Sequence, residues 1–410
     1  MADTRGDVIV VSPSWPAGTG GQRIAVASLL RACRQAFDRI HVISITEDSF
    51  EPSGEWRDGV FEWIHAKVAP WPKWLRFVRS LFRAAPAVTV RYQAGERQVL
   101  DAMVRITGDC QARRRGVAVI IEDIPTACLL PRIQSAFPHL ATAIRSENLL
   151  TEAFERFAVE GPLVWRLPWM LELWKIRRFE KSVCTMADHF WTITRTEADK
   201  YVQRMGVQAD GVIGACLDVD RYASVGAGDA RTVVHVGRVD LRKGKGLKDF
   251  FRRVWPGVRA RLPDARLVLA GTGTERFTDL RSGVAGLGFV ENDAAVLEQG
   301  RIFVNPQRIG AGIQIKSIVA MLAGKALVST QVGAEGVEGK VDEHFAVADS
   351  PEEMVAAIVG LMQNPDRAHE MGRKARQLAA RVYGRERFLN DSRRLLDALA
   401  AGLSRGGGQS

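Results

Sequence analysis

The sequence predicts an α/β fold of two doubly wound parallel sheets, and three observations point there. Short apolar runs alternate with amphipathic stretches at helical spacing along most of the chain. The runs Val8-Ile9-Val10-Val11 and Val117 to Ile121 are continuous, as in strands covered on both faces. The alternation pauses at Cys216 to Asp229, small and polar with Gly226 and Gly228, and then restarts. The 410 residues, at about 150 per domain, leave room for two or three domains.

In chain order, Val8 to Val11 is the first strand, followed by a glycine-rich turn and an amphipathic helix from about Gln22 to Gln35. His41 to Ile45, Val117 to Ile121, Ala143 to Arg145 and Phe190 to Ile193 are further strands. The second set comprises Val233 to Val236, Leu267 to Ala270, Ile302 to Val304, Leu327 to Ser329 and Phe345 to Val347. Helices are expected between them, near Leu247 to Arg261, Ala294 to Gln299, Ile313 to Ala323 and Glu352 to Met362. Two more, near Asp366 to Arg381 and Glu386 to Leu403, close the chain. The expected domains are 1–215, a linker 216–229, 230–385, a terminal helix 386–403 returning to the first domain, and a disordered tail 404–410. Open α/β sheets bind ligands beyond the carboxyl ends of their strands, so two such domains facing a central cleft would carry their sites on post-strand loops.

Composition narrows the function classes. With 46% hydrophobic and 25% charged residues, the chain is ordinary globular material. No apolar window reaches the length of a spanning helix. The start runs directly into a strand without a secretory leader, so a cytoplasmic location is expected. The five cysteines have no C-x-x-C and no zinc spacing; reduced thiols, no metal and no cofactor are expected. The net charge of +10 favours acidic partners. From Lys73 to Arg115 there are ten Lys/Arg and three Asp/Glu, and nine of the ten Trp precede residue 192. That stretch of the first domain therefore carries +7. An anionic membrane surface or a lipid-diphosphate acceptor fits it better than nucleic acid, for which no helix-turn-helix or zinc pattern exists.

Candidate chemistry sits on the post-strand loops. Gly18-Thr19-Gly20-Gly21 precedes a helix, where backbone N–H groups can meet an anion; a plain turn fits equally well. Val236-Gly237-Arg238 delivers an arginine to a strand end, and Lys243 follows; the two could neutralise a diphosphate or form a solvated basic turn. Gly271-Thr272-Gly273 is a third loop that permits close backbone approach. Gly310-Ala311-Gly312-Ile313-Gln314-Ile315-Lys316 leads into a helix, with Lys316 placed against the helix dipole. Glu122-Asp123 and Arg145-Ser146-Glu147-Asn148 end two strands of the first domain, where carboxylates can orient or deprotonate a hydroxyl. His41 and His189 open strands and read as structural. The helix Lys73 to Arg83 carries Trp74 on an apolar face and Arg76, Arg79 and Arg83 opposite; it suits a membrane interface or packing on its own domain. Trp165 to Arg178 is a second aromatic–basic stretch.

The C-terminal motifs are similar to those of the GT-B glycosyltransferases, in particular the large retaining family four (glycosyl transferases group 1). They are Val236-Gly237-Arg238 with Lys243-Gly244, Leu267 to Gly273, Gly288-Phe289-Val290, Phe303 to Pro306, Gly310 to Lys316, Ala320 to Thr330 and Gly333-Ala334-Glu335-Gly336. Gly18 to Gln22, Arg145 to Asn148, and Arg177 to Glu180 ahead of Thr192-Ile193-Thr194 resemble the same family. The resemblance implies a nucleotide-sugar donor held mainly by the C-terminal domain. Arg238 and Lys243 would bind the diphosphate, and Gly20, Gly21, Gly271, Thr272, Gly273, Gly310, Gly312, Ile313, Gln314 and Lys316 would line the donor site. It also implies retaining transfer without a metal to a glycan, lipid-linked or protein acceptor; from their place at strand ends, Glu122, Asp123 or Glu147 are expected to orient its hydroxyl. The family's Glu-x7-Glu element is replaced here by Ala311 and Val319, and an apolar Val319 cannot accept hydrogen bonds from the donor ribose. A GT-B scaffold with altered or lost turnover that binds a nucleotide sugar or a partner is therefore the alternative.

Overall fold

The computed structural model describes residues 6–17, 20–69, 72–160, 166–239, 244–310 and 312–405. The chain forms two compact units, Met1–Cys216 with Phe388–Ser410, and Leu217–Arg387. Each is built on one parallel sheet.

The first unit has seven strands: β1 (Asp7–Ser12), β2 (Arg39–Thr46), β3 (Phe61–Lys67), β4 (Val117–Glu122), β5 (Thr142–Ser146), β6 (His189–Thr192) and β7 (Gly211–Val212). Their order is β3-β2-β1-β4-β5-β6-β7, so the direction of winding reverses between β1 and β4. β1 and β4 are buried at every residue, as their continuous apolar runs require. One face packs Ile9, Val11, Val119 and Ile121 against the helix Glu96–Ala112 through Val99, Met103 and Ile106. The other packs Val8, Val10, Ala118 and Ile120 against the helix Gly21–Ala36 through Val26, Leu29 and Leu30. The helix Arg385–Ala401 adds Phe388, Leu395, Leu396 and Leu399 to that second face.

The second unit has six strands: β8 (Asp229–Val236), β9 (Arg266–Ala270), β10 (Val284–Gly286), β11 (Gly300–Asn305), β12 (Ala326–Ser329) and β13 (Phe345–Val347), ordered β10-β9-β8-β11-β12-β13. Winding reverses between β8 and β11. Helices over 244–261, Pro351–Gln363 and Pro365–Tyr383 bury Trp255, Val258, Met354, Ile358 and Met371 against the sheet.

Three strands are additions to the sequence reading: β3, β7 and β10. All lie at sheet edges. The segment 216–229, read as a linker, is partly structured: Asp220–Ala223 is a helical turn with Tyr222 buried, and Asp229 already belongs to β8. It is tied down by Lys325, whose Nζ donates to Gly226 O (2.6 Å) and Ala227 O (3.2 Å). The tail reading 404–410 falls largely on residues outside the description; Gly402–Arg405 forms a single turn.

Leu396→Ala should lower the unfolding free energy of the first unit by about 2–5 kcal/mol, the cost of a cavity at a fully buried leucine. Asp397→Asn, whose partner Arg393 is exposed, should change it by less than about 0.5 kcal/mol. Chemical denaturation of the two variants checks the contrast.

Candidate functional site

In the first unit the site is built at the carboxyl ends of β4 and β5. These strands pair in parallel with Glu122 opposite Arg145. Both side chains are fully buried, and the guanidinium grips the carboxylate with Nε (2.9 Å to Oε2) and Nη2. Nη2 also donates to Ala25 O (2.6 Å) in the first helix, and Nη1 to Ile213 O (3.3 Å). Every arm of Arg145 is occupied. This corrects the expectation for Glu122: it is a structural counter-ion and does not face a substrate. Charges taken out of water need this degree of pairing.

Asp123, the next residue, has φ 70° and ψ 143°, a conformation that costs a non-glycine residue about 1–3 kcal/mol and recurs at functional sites. It is held there by its N–H, which donates to Arg145 O (2.8 Å), and by its carboxylate, which accepts from Ile124 N (2.9 Å). Burial, reinforced by the charges of Glu122 and Glu180, pushes the Asp123 carboxyl up to about 7. Burial and the nearby Asp123 and Glu122 likewise hold Glu147 well above the carboxylate range. Glu147 Oε1 is shielded from solvent and has no hydrogen-bond partner among the described residues. The structure thus brings Asp123 and Glu147 together as an acidic pair that resists double ionisation.

The loop bearing Glu147 is rigidly mounted. Glu180 accepts from Leu150 N (2.7 Å), Thr151 N (2.8 Å) and Tyr201 OH (2.6 Å), and Glu197 accepts from Leu149 N (2.7 Å). Tyr92 also lies beside the pair: burial and Asp123, with Glu147, raise its phenol above the usual range. Arg91 stacks over the Tyr92 ring at 5.7 Å. Sequence reading missed Tyr92, Arg91 and the bracing by Tyr201. They lie on helices, and no local signal marks them.

Gly20 and Gly21 are exposed at the start of the helix Gly21–Ala36, which has no side-chain cap and no acidic residue in its first turn. Among the described residues no side chain caps its first N–H groups, the kind of helix start that suits an anion. Gly18 and Thr19 lie outside the described residues.

In the second unit, the loops after β8 and β11 flank the point where winding reverses. Arg238 is exposed two residues beyond β8. Lys316, in the first turn of the helix Ile315–Leu322, passes beside this turn: its Cδ is 3.8 Å from where a Gly237 Cβ would stand. Below them His235 is buried, with Nδ1 on Val304 O (2.8 Å). Burial, with the Lys316 charge, pushes His235 down to about 3. The neutral ring therefore donates from Nδ1 and leaves Nε2 toward Gly237. A histidine inside the apolar run Val233 to Val236 was the sequence signal for this support.

The glycine turn Gly271-Thr272-Gly273 has a structural cause. Gly271 adopts φ 122°, and a Cβ there would lie 2.3 Å from Gly237 O. Gly237 N donates to Ala270 O (2.8 Å) and Val239 N to Thr272 O (2.9 Å). This loop packs against the Gly237–Val239 turn, so its glycines have a packing reason of their own. The loop 310–314 is shaped by buried Gln307 and Gln314: Gln314 Nε2 donates to Gly312 O (3.2 Å), and a Cβ at Gly310 would meet the Gln307 amide at 2.4 Å. Gln314 N donates to Glu335 O (3.2 Å), and Ile313 packs on Gly336. Asn305 Nδ2 donates to Ser317 Oγ (2.8 Å) and Gly333 O (2.9 Å), joining β11, the helix start and the following turn. Lys243 and Ala311 lie outside the described residues, so what the structure shows is Lys316 beside the Gly237 backbone that leads into Arg238. Val319 is half-buried in the second turn of that helix.

Residues 230–364 match the family described as Glycosyl transferases group 1. The second unit is a glycosyl transferases group 1 domain. The chain is 23% identical over 220 residues to an uncharacterized glycosyltransferase of Haemophilus influenzae, covering 50% of this chain and 60% of that protein. The chain thus spans less than two thirds of the length of the curated relatives it matches, 56% and 60%. Its fold is GT-B. Sucrose-phosphate synthase from Thermosynechococcus elongatus superposes with a TM-score of 0.72 at 16% identity, over 97% of this chain and 99% of that one. HepE from Anabaena, solved in complex with UDP-glucose, superposes with a TM-score of 0.61 at 14% identity, over 96% and 100%.

A carboxyl kept protonated by the fold stabilises it most below the pH where the unfolded chain ionises. For Asp123 that stabilisation is present below its ordinary 3.8 and is lost as pH rises through about 7. Denaturation of the first unit should therefore become easier between pH 4 and 7, and Asp123→Asn should flatten that slope. Thermal melts across this range check it.

Proposed function

We propose that the chain transfers a sugar from a nucleotide-sugar donor to a glycan, lipid-linked or protein acceptor in polysaccharide or glycolipid assembly. The observation that carries this reading is Lys316 lying beside the Gly237–Arg238 turn at the carboxyl end of β8, within the stretch that matches the glycosyl transferases group 1 family. The UDP-glucose complex of HepE supports a nucleotide-sugar donor.

In the proposed reaction the bond from the sugar's anomeric carbon to the donor phosphate breaks while the acceptor oxygen bonds to that carbon on the same face. The acceptor proton passes to the departing phosphate oxygen. Charge grows on the leaving diphosphate, where the Arg238 fork and the Lys316 ammonium, with Lys243 proposed as a third cation, would stabilise it. These cations are proposed to suffice without a metal or cofactor. Asp123 and Glu147 are proposed to orient the acceptor hydroxyl: a shared proton lets one carboxyl donate and the other accept.

Arg238→Ala with Lys316→Ala should abolish nucleotide-sugar binding, with circular dichroism unchanged. Binding by thermal shift across a panel of nucleotide sugars checks this; retained binding would remove the site assignment. A second reading, a scaffold that binds a nucleotide sugar without turnover, rests on Val319. The same panel separates the two: hydrolysis or transfer with any donor supports the enzyme, and binding with no turnover supports the scaffold. Val319→Glu should tighten donor binding about tenfold, the worth of one good hydrogen bond to a ribose hydroxyl.

Association with an anionic membrane surface is proposed for the region of helices Lys73–Leu81 and Arg166–Met186. These helices touch through Phe77 and Trp169, whose ring centroids are 5.1 Å apart. Phe82 (87% exposed), Met170 and Trp174 project into solvent, with Arg178 over the Trp174 ring. Arg79 and Arg83 are exposed nearby in sequence, while the side chains of Trp74 and Arg76 lie outside the description. No helix among the described residues is long and apolar enough to cross a membrane. Sedimentation with phosphatidylglycerol vesicles at low salt should fall sharply on Arg79→Glu with Arg83→Glu. No sedimentation of the wild type would end the proposal.

A further inference from the structure

We propose that Asp7, His41 and Cys110 form a metal site in the first unit that takes one zinc-like divalent cation. Among the described residues this is the one place where three groups of metal-ligating type come together, with their ligand atoms within 4.8 Å of one another. Three separate elements supply them: Asp7 opens β1, His41 lies in β2, and Cys110 ends the helix Glu96–Ala112. The site lies at the amino-terminal ends of the strands, the opposite end from Asp123 and Glu147.

Two of the three separations suit a small tetrahedral ion, and the third, between His41 and Cys110, is within 4.8 Å. His41 Nε2 is 3.3 Å from Asp7 Oδ2, and Cys110 Sγ is 3.4 Å from the same oxygen. Bonds of about 2.0–2.3 Å at tetrahedral angles separate neighbouring ligands by about 3.3–3.6 Å. A mixed sulfur, nitrogen and oxygen set fits zinc better than calcium or magnesium, which take oxygen. All three residues are buried. A divalent ion with one thiolate, one carboxylate and a neutral imidazole is neutral overall, which limits the cost of burying it.

The surroundings are those of a metal site. His41 Nδ1 faces Glu62 Oε2 at 2.7 Å, which fixes the ring so that Nε2 points to Asp7. Glu62 is held in turn by Arg105 (2.8 Å). Arg115 takes Asp7 Oδ1 (3.1 Å) and leaves Oδ2 for the ion. Carboxylate-backed histidines of this kind orient metal ligands, and their loss costs about 10–100-fold in affinity. Without an ion, the thiol donates to Asp7 Oδ2. On binding, the ion displaces to solvent the thiol proton and any proton on Nε2.

The test uses the whole chain, stripped with a chelator and titrated with cobalt(II) as the probe, followed by zinc. The expected result is one cobalt per chain, a thiolate-to-metal charge-transfer band, and displacement by one equivalent of zinc. Cys110→Ser should abolish the band, and Glu62→Gln should weaken affinity about 10–100-fold. Lack of a band in the folded wild type overturns the proposal and leaves a hydrogen-bond cluster. A band that survives Cys110→Ser overturns it too. Should Cys110→Ser fail to fold, Glu62→Gln decides, because its side chain reaches solvent; unchanged affinity there overturns the proposal.

Discussion

The buried pair of Glu122 and Arg145 is the constraint on which the first unit's site depends. Two full charges in a dry sheet are tolerable only when every donor and acceptor is used. Arg145 meets that demand by reaching across the sheet, to its neighbour strand, to the first helix and to the segment after β7. One side chain therefore sets the relative positions of four elements. Its own carbonyl holds Asp123 in a strained backbone state. The acidic pair of Asp123 and Glu147 is the outward product of this inner pairing, because the strands that carry Glu122 and Arg145 end immediately afterwards.

The second unit reaches its geometry with neutral devices. Asn305 and Ser317 join a strand, a helix start and a glycine turn by amide and hydroxyl bonds alone. Gly271 lets one loop lie directly against another. His235 is kept uncharged beneath the Arg238 turn. Arg238 and Lys316 give this turn two cationic side chains. The two units thus present opposite chemistries on the same sheet architecture.

Much of the fold was legible because the central strands are continuous apolar runs, and burial on both faces leaves no other reading. Three of the four edge strands were not. β3 reads Phe-Glu-Trp-Ile-His-Ala-Lys, half exposed and mixed in polarity, and β7 and β10 have two and three residues. Such segments become strands only because a neighbour offers unpaired backbone groups. At the candidate site, glycines and charged residues after strands drew attention to these loops. What each did was decided by distance: Glu122 and Asp123 are adjacent in sequence, yet one points into an ion pair and the other toward a second carboxyl.

The sequence by itself determined the alternation of strands and helices, and hence parallel sheets with chemistry at their carboxyl ends. It also determined that the helix Ile315–Leu322 carries Val319 where the resembling family has a carboxylate. Tertiary structure alone decided which groups meet. Asp7, His41 and Cys110 are separated by 34 and 103 residues from the first, and no spacing rule joins them. Sheet register and helix packing bring them together, because side-chain chemistry acts over a few ångströms and sequence distance does not measure that.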